Sequence, residues 1–196
     1  MIMENKVEQF FDSLASSWDE GETCPIDRKL SLLKEVGIKP GDHVLDVACG
    51  TGVVTGLIHE LSNSDVVGID LSNNMIQIAK DKYKGDKWAS FVHSDLLTWD
   101  TLEKFDDIII YNAYPHFLDC NALANKAYSL LNKGGRLAIL HSLSRAQLCI
   151  HHSGTASQVS RTLDEPQKEA EYFKDKFDVI KAKEDDNSIV IVLERK

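Results

Sequence analysis

The chain has 196 residues, which is enough for one domain with a core of two or three layers. Hydrophobic residues make up 43% and charged residues 27%, as in ordinary globular proteins, and the formal net charge is -9. This charge disfavours a large phosphate-binding surface, so nucleic acids and anionic membranes are not expected as partners. Four cysteines without a Cys-x-x-Cys pair, and an N-terminus without a long apolar core, favour a cytoplasmic protein with free thiols.

Two amphipathic helices are predicted before the first strand. Residues 5–19 carry a stripe of apolar side chains at helical spacing, and residues 26–36 carry a second one. Taken by itself, the first stripe indicates a helix that packs on a core. Gly37 suits the C-cap of the second helix, and residues 39–42 form a turn into the first strand.

The first predicted strand, residues 44–47, leads into a glycine turn and a further helix. This layout suits a nucleotide site, because glycines let a ligand approach the backbone and a helix start offers N–H groups. The dinucleotide fingerprint G-x-G-x-x-G does not fit, since Gly50 and Gly52 are followed by Thr55 where the third glycine belongs. The carboxylate of Asp46 inside the strand favours a cationic ammonium group over a pyrophosphate.

Later strands of the chain end at polar residues. The second predicted strand ends on Asp70, and a carboxylate at that position can accept hydrogen bonds from ribose hydroxyls. Asp95 follows the third strand, and Asn112 follows the fourth. The predicted bounds of the second to fifth strands are 65–70, 88–93, 105–111 and 137–141.

Helices are predicted between the strands, and the chain ends in a hairpin. Residues 142–153 are compatible with either a helix or a loop. The predicted helices are 71–79, 119–131 and 164–175, and the hairpin strands are 177–182 and 189–193. We therefore predict a doubly wound α/β fold. Its sheet is seven-stranded and mostly parallel, with an antiparallel C-terminal strand and helices on both faces.

The glycine turn and the acidic residue before it closely resemble the first motif of class I S-adenosylmethionine (SAM) methyltransferases of the small-molecule type. The resemblance covers about residues 7–195, and its sharp motifs lie in 44–52, 65–71 and 93–96. It implies a single domain, residues 1–196, that transfers a methyl group from SAM to a small-molecule acceptor. Residues 1–36 would form a helical flap and residues 142–163 a substrate-side insertion.

The resemblance also implies a set of cofactor contacts. The glycine turn would receive the amino acid end of SAM, and Asp95 and Leu96 would meet the adenine. Phe11 or Trp18 of the flap would lie at the active site. The complete implied cofactor set is Trp18, Asp46, Ala48, Gly50, Gly52, Asp70, Leu71, Met75, Asp95, Leu96 and Asn112.

Methyl transfer is an in-line displacement, so the protein mainly has to align, desolvate and, if needed, deprotonate the acceptor. Histidines that follow the fourth and fifth strands can converge on the acceptor crevice, where a histidine suits a general base. The catalytic candidates are His116, His141 and His151, with Tyr114 for acceptor orientation and Arg145 for anion pairing. The Asn-Pro-Pro-Tyr motif of amide and amine methyltransferases is broken in this chain, which argues against a nucleic-acid or protein amide target.

Other functions remain open at this point. The same cofactor motifs would serve a SAM-binding sensor or assembly protein without transfer activity. A nicotinamide-dependent oxidoreductase is opposed by Asp46 and by the displaced third glycine. A metal-assisted reaction would use His116, His141 and either His151 or His152, but their spacing is not diagnostic, so no metal is predicted. The atom that accepts the methyl group and the choice between monomer and homodimer stay open.

Overall fold

The computed structural model describes residues 6–151 and 157–196. Seven strands form one sheet in the order β3-β2-β1-β4-β5-β7-β6. All pairs among β1 to β5 are parallel, and β7 is antiparallel to both β5 and β6, which confirms the predicted fold class. The strands are β1 Val44–Val47, β2 Val66–Asp70, β3 Ala89–His93, β4 Phe105–Tyr111, β5 Leu131–His141, β6 Phe177–Asp185 and β7 Ser188–Arg195.

Eight α-helices are described in the same two ranges. They are α1 Lys6–Leu14, α2 Trp18–Gly21, α3 Ile26–Lys34, α4 Thr55–Ser62, α5 Asn73–Lys82, α6 Cys120–Leu130, α7 Arg145–His151 and α8 Pro166–Glu171. Two short 3₁₀ turns, Ala15–Ser17 and Tyr114–His116, lie among them. None of these helices is long and apolar enough to cross a membrane, within the part of the chain that the structure describes.

Both faces of the sheet are buried, as a parallel sheet requires. Side chains alternate between the two faces along a strand. In β4, Ile108 and Ile110 therefore pack in the core on one face of the sheet, and Ile109 and Tyr111 pack in the core on the other face. Helices α6 and α8 cover the first core, and α3 and α4 cover the second. The sheet is thereby fixed from both sides, which holds the carboxyl ends of its strands in place.

The largest differences from the predicted bounds concern three elements. The helix predicted for residues 5–19 is interrupted, because the hydroxyls of Ser13 and Ser17 donate to the carbonyls of Phe10 and Leu14 and compete with the helical pattern. Strand β5 begins at Leu131 rather than at residue 137, since its first residue already pairs with β4. Helix α8 is shorter than predicted, and residues 94–104 join β3 to β4 without a helix.

Candidate active site

A cavity of about 1120 Å³ opens at the carboxyl ends of the central strands, beneath α1 and α2. This is the crevice in which open α/β sheets bind ligands. Ten of the eleven predicted cofactor residues line it; Gly52 is the exception. Of the four predicted catalytic residues, His116 lines the cavity.

The glycine turn after β1 adopts a backbone that few residues tolerate. Ala48, Gly50 and Gly52 all have positive φ angles, of 52°, 56° and 78°. A positive φ is uncommon for alanine, and such residues cluster at functional sites. Gly52 turns away from the cavity, because a Cβ there would lie 2.7 Å from the Tyr83 ring. The Tyr83 hydroxyl donates to the carbonyl of Gly52 at 2.8 Å and so supports the turn from behind.

Asp46 lies inside β1 with its carboxylate buried beside the cavity. Its Oδ2 accepts a hydrogen bond from the Thr55 hydroxyl at 2.6 Å. Burial raises the pKa of Asp46 to about 7, and the nearby charge of Asp70 adds to the rise. Thr55, which broke the dinucleotide fingerprint, is therefore the hydrogen-bond partner of this carboxylate. A cationic group placed next to Asp46 would favour its charged form.

Asp70 joins the end of β2 to the glycine turn. Its Oδ2 accepts from the N–H of Gly50 at 2.8 Å, and its Oδ1 accepts from the N–H of Ser72 at 2.8 Å. Burial raises the pKa of Asp70, while these two backbone donors lower it. The carboxylate is thus held at the cavity wall by the backbone on both sides.

The end of the cavity near β3 is lined by Asp95 and by apolar side chains. Asp95 Oδ1 accepts the N–H of Leu97 at 2.9 Å, which fixes the turn that follows β3. Met75 and Leu96 line the same region and are nearly fully buried. Leu71, directly after β2, completes this apolar wall. Such a slot suits a flat ring with a polar edge.

The flap formed by α1 and α2 contacts both sides of this site. Asp12 accepts from the Ser72 hydroxyl at 2.5 Å and from the Asn74 N–H at 3.0 Å, at the start of α5. Asp19 accepts from the Thr51 hydroxyl at 2.5 Å in the glycine turn. It also pairs with a lysine of α5, Lys82 Nζ, at 2.7 Å. The sequence analysis did not assign these carboxylates, although they directly follow Phe11 and Trp18.

The aromatic side chains of the flap face the cavity. The Phe11 ring lies 5.7 Å from the Trp18 ring and 4.9 Å from the imidazole of His116. All three residues line the cavity. A Cβ at Gly50 would lie 3.7 Å from the indole nitrogen of Trp18, so the aromatic rings of the flap extend from the glycine turn to His116.

His116 lies in the 3₁₀ turn after β4. Its Nδ1 is 2.9 Å from the carbonyl oxygen of Val159. Because a carbonyl only accepts, Nδ1 carries the proton, and the lone pair of the neutral ring is on Nε2. Burial lowers the pKa of His116, so the neutral form dominates at pH 7.

The other predicted catalytic residues lie elsewhere. Tyr114 is fully buried, its hydroxyl is 3.0 Å from Glu169 Oε2, and the Arg161 guanidinium lies 4.6 Å from its ring centroid. The structure therefore does not place Tyr114 where it can orient an acceptor. His141 is fully buried at the end of β5 and is not among the residues that line the cavity. The side chain of His151 lies outside the described part of the chain.

The histidine metal hypothesis is not tested by the structure, because His152 and the side chain of His151 are outside the described ranges. Within residues 6–151 and 157–196, no group of three His, Cys, Asp or Glu side chains converges in a way that could hold a metal ion. Arg145, predicted for anion pairing, forms an ion pair with Glu184 at 2.6 Å and does not line the cavity.

Sequence analysis missed the polar residues at the far end of the cavity. Tyr111 ends β4 and could have been found from the rule that ligands bind at strand ends. Arg28 and Asn187 are 159 residues apart in sequence, and no local pattern connects them. The cavity-lining residues at this end are Cys24, Arg28, Tyr111, Ser142, Gln147 and Asn187.

The sheet order, the glycine turn and the acidic residues after β2 and β3 define the class I fold of SAM-dependent methyltransferases. The chain belongs to the methyltransferase domain family, whose model matches residues 38–190. This membership confirms the predicted family and fold, and with them SAM as the cofactor of this class.

One relative is demethylmenaquinone methyltransferase from Bacteroides fragilis, 30% identical over 145 residues, or 69% of this chain and 59% of that protein. The chain spans less than two thirds of the length of the curated relatives it matches. Among solved structures, the N-methyltransferase NodS from Bradyrhizobium japonicum with S-adenosylhomocysteine superposes with a TM-score of 0.74 at 14% identity, covering 97% of this chain and 99% of NodS. The [4+2]-cyclase SpnF gives 0.78 at 14% identity, covering 97% and 95%. These likenesses show the fold.

Proposed function

We propose that this chain transfers a methyl group from SAM to a small-molecule acceptor. The observation that carries the proposal is one continuous cavity that joins the carboxylates of the cofactor motifs to the imidazole of His116. Its volume of about 1120 Å³ is slightly above the usual range of small-molecule sites, about 300 to 1,000 Å³, which suits two ligands side by side.

The order of the strands suggests how the cofactor would lie. Adenine would meet Asp95 and Leu96 after β3, the ribose would meet Asp70 after β2, and the ammonium group would face Asp46 in β1. When bound, the cofactor supplies an electrophilic methyl group with a neutral leaving group. The protein's own task is then to align the acceptor and exclude water, which the aromatic flap supports.

His116 is the best-supported general base. Its carbonyl partner puts the lone pair on Nε2, and its lowered pKa keeps the ring neutral at pH 7. A neutral imidazole in the cavity can accept a proton from a hydroxyl, thiol or amine acceptor. His141 and His151 stay predictions, with no contact described here that favours either.

The proposal is tested by calorimetry and by turnover. SAM and S-adenosylhomocysteine should bind the purified chain, and Asp70→Ala should abolish that binding. Formation of S-adenosylhomocysteine with a broad panel of small-molecule acceptors should fall by about 10²-fold or more in His116→Gln. His59→Gln is a matched control, because His59 stacks on Trp88 and lies outside the cavity. Binding of NAD without SAM would refute the proposal.

A second candidate is a SAM-binding protein without transfer activity. It is favoured by one comparison, since a protein named as a [4+2]-cyclase has the same fold over nearly its whole length. Cofactor binding that persists while no acceptor in the panel yields S-adenosylhomocysteine would favour this function. A cytoplasmic location, a monomer or homodimer, and the absence of nucleic-acid partners remain predictions from the sequence.

A further inference from the structure

The cavity continues past the predicted cofactor residues into a polar recess. The recess is lined by Cys24, Arg28, Tyr111, Ser142, Gln147 and Asn187. Asn187 lies in the turn before β7, which is two strands beyond β4 in the sheet. At the usual strand spacing the recess therefore extends from Tyr111 at the end of β4 to Asn187 about 10 Å farther along the sheet, away from the adenine side. The recess is therefore on the acceptor side of the site.

Arg28 gives the recess its charge. It is the one lysine or arginine among the described residues that line the cavity, whereas five acidic residues line it. One N–H of its guanidinium donates to the backbone carbonyl of Asn187, which holds the group at the recess. Two acidic residues lie nearby, and the N–H of Asn187 and the charge of Arg28 help to lower the pKa of one of them, Asp185. Glu22 lies 3.5 Å from the ammonium of Lys29, and Asp185 accepts from the Asn187 N–H and the Ser188 hydroxyl.

Tyr111 gives the recess a hydrogen-bond donor. The residue is 8% exposed, and its buried hydroxyl lies near the thiol of Cys24 and the hydroxyl of Ser142 without a well-aligned hydrogen bond to either. A buried hydroxyl without a well-aligned hydrogen bond is costly, and an oxygen of a ligand would satisfy it. Burial and the nearby thiol of Cys24 raise the pKa of Tyr111, so the hydroxyl stays protonated and donates.

Apolar side chains also line the cavity. Phe10 and Leu14 come from the flap, and Leu143 and Leu148 come from the segment after β5. A ligand in the cavity can therefore meet both an apolar surface and the cationic, hydrogen-bonding groups of the recess.

We propose that the recess binds an anionic oxygen group of the acceptor, such as a carboxylate, through Arg28 and Tyr111. The acceptor is then an amphipathic small acid whose apolar body lies under the flap. This inference rests on the proposed function, because it names the substrate class of the same site.

The test uses the full chain saturated with S-adenosylhomocysteine. It compares two probes of equal shape, the charged 2-naphthoate and the neutral 2-naphthamide. Calorimetry should show 2-naphthoate binding about tenfold or more tightly than the amide, as expected for hydrogen bonds to a charged group. Arg28→Gln should remove this preference, and Arg28→Lys should retain part of it. Tyr111→Phe should weaken 2-naphthoate by about threefold to tenfold, the effect of one neutral donor.

Arg145→Gln is the matched control, since Arg145 is paired with Glu184 outside the cavity and its loss should leave the preference unchanged. Equal binding of the two probes, or a preference that survives Arg28→Gln, would overturn the inference. A third result would also overturn it: Arg28→Gln loses affinity for S-adenosylhomocysteine but not for methylthioadenosine, which lacks the carboxylate. Arg28 would then hold the carboxylate of the cofactor instead of the acceptor. If the unaltered chain fails to bind S-adenosylhomocysteine, the proposed function is wrong. Binding of the same two probes to the cofactor-free chain then still tests whether the recess prefers an anionic group.

Discussion

Replacing Asp46 by asparagine is predicted to stabilise the cofactor-free protein above pH 7 and to weaken cofactor binding. Burial raises the pKa of Asp46 to about 7, from an ordinary value of 3.8. Between these two values the folded chain holds a proton that the unfolded chain releases, so the free energy of unfolding falls as the pH rises. Integrated over that window, the loss is about 4 kcal/mol and is complete above about pH 7.

Asparagine has no proton to lose and still accepts the hydrogen bond from Thr55. Urea unfolding should therefore show Asp46→Asn to be more stable than the unaltered protein at pH 8, with a gain about 2 to 3 kcal/mol larger than at pH 5. The same variant lacks the charge that we propose faces the ammonium group of the cofactor. Calorimetry at pH 8 should show S-adenosylhomocysteine binding about tenfold or more weakly.

Asp107→Asn is the matched control, because Asp107 is also a buried strand aspartate but pairs with Arg136 at 2.7 and 3.0 Å. Burial raises the pKa of Asp107 to about 7 as well, and Arg136 keeps its ion pair with Asp42 at 2.9 Å, so this substitution should show a similar pH dependence of stability. It should leave cofactor binding unchanged, since Asp107 does not line the cavity. The reasoning is refuted if Asp46→Asn is less stable at pH 8, or if it binds S-adenosylhomocysteine as well as the unaltered chain.

Three further predictions concern the surroundings of the site. Asp19→Asn should weaken binding of S-adenosylhomocysteine only a few-fold in calorimetry, because its pair with Lys82 is partly exposed and worth about 1 kcal/mol or less; a hundredfold loss would contradict this. Gly52→Ala should lower both the melting temperature and cofactor affinity, since its Cβ would clash with the tyrosine ring behind the turn; unchanged values would show that the ring moves freely. Glu169→Gln should cost about 3 to 5 kcal/mol in urea unfolding by leaving Arg161 unpaired, and a change under 1 kcal/mol would mean that the pair is not needed.

The placement of the predicted cofactor residues around the cavity follows from the sequence because they lie at strand ends. Asp70 and Asp95 each lie at or directly after the end of a strand, and parallel strands bring their carboxyl ends to one edge of the sheet. A sequence pattern that finds the strands therefore also finds their ends. The role of Thr55 was the hardest to predict from the sequence, because its hydroxyl donates to Asp46, nine residues earlier.

The acceptor side was less predictable because it depends on contacts between distant segments and on side-chain direction. Tyr111 and Tyr114 are three residues apart after the same apolar strand. The first lines the cavity from the end of β4, whereas the second, in a 3₁₀ turn, points into the core towards Glu169. Without the turn geometry, the sequence offered no means to choose between them. Arg28 is held at the recess by a hydrogen bond to the backbone of Asn187, in the turn before β7.

The N-terminal stripe shows why an amphipathic pattern alone does not separate a core helix from a flap. Helix α1 has no buried residue, and its apolar side chains, Phe10, Phe11 and Leu14, line the cavity instead of a core. It is held by polar contacts, through Asp12 at the start of α5 and, after the 3₁₀ turn, through Asp19 of α2 at the glycine turn. A helix whose apolar face meets a ligand cavity gains its packing energy when that cavity is filled. The stability of the flap should therefore depend on the ligand, whereas that of a core helix would not.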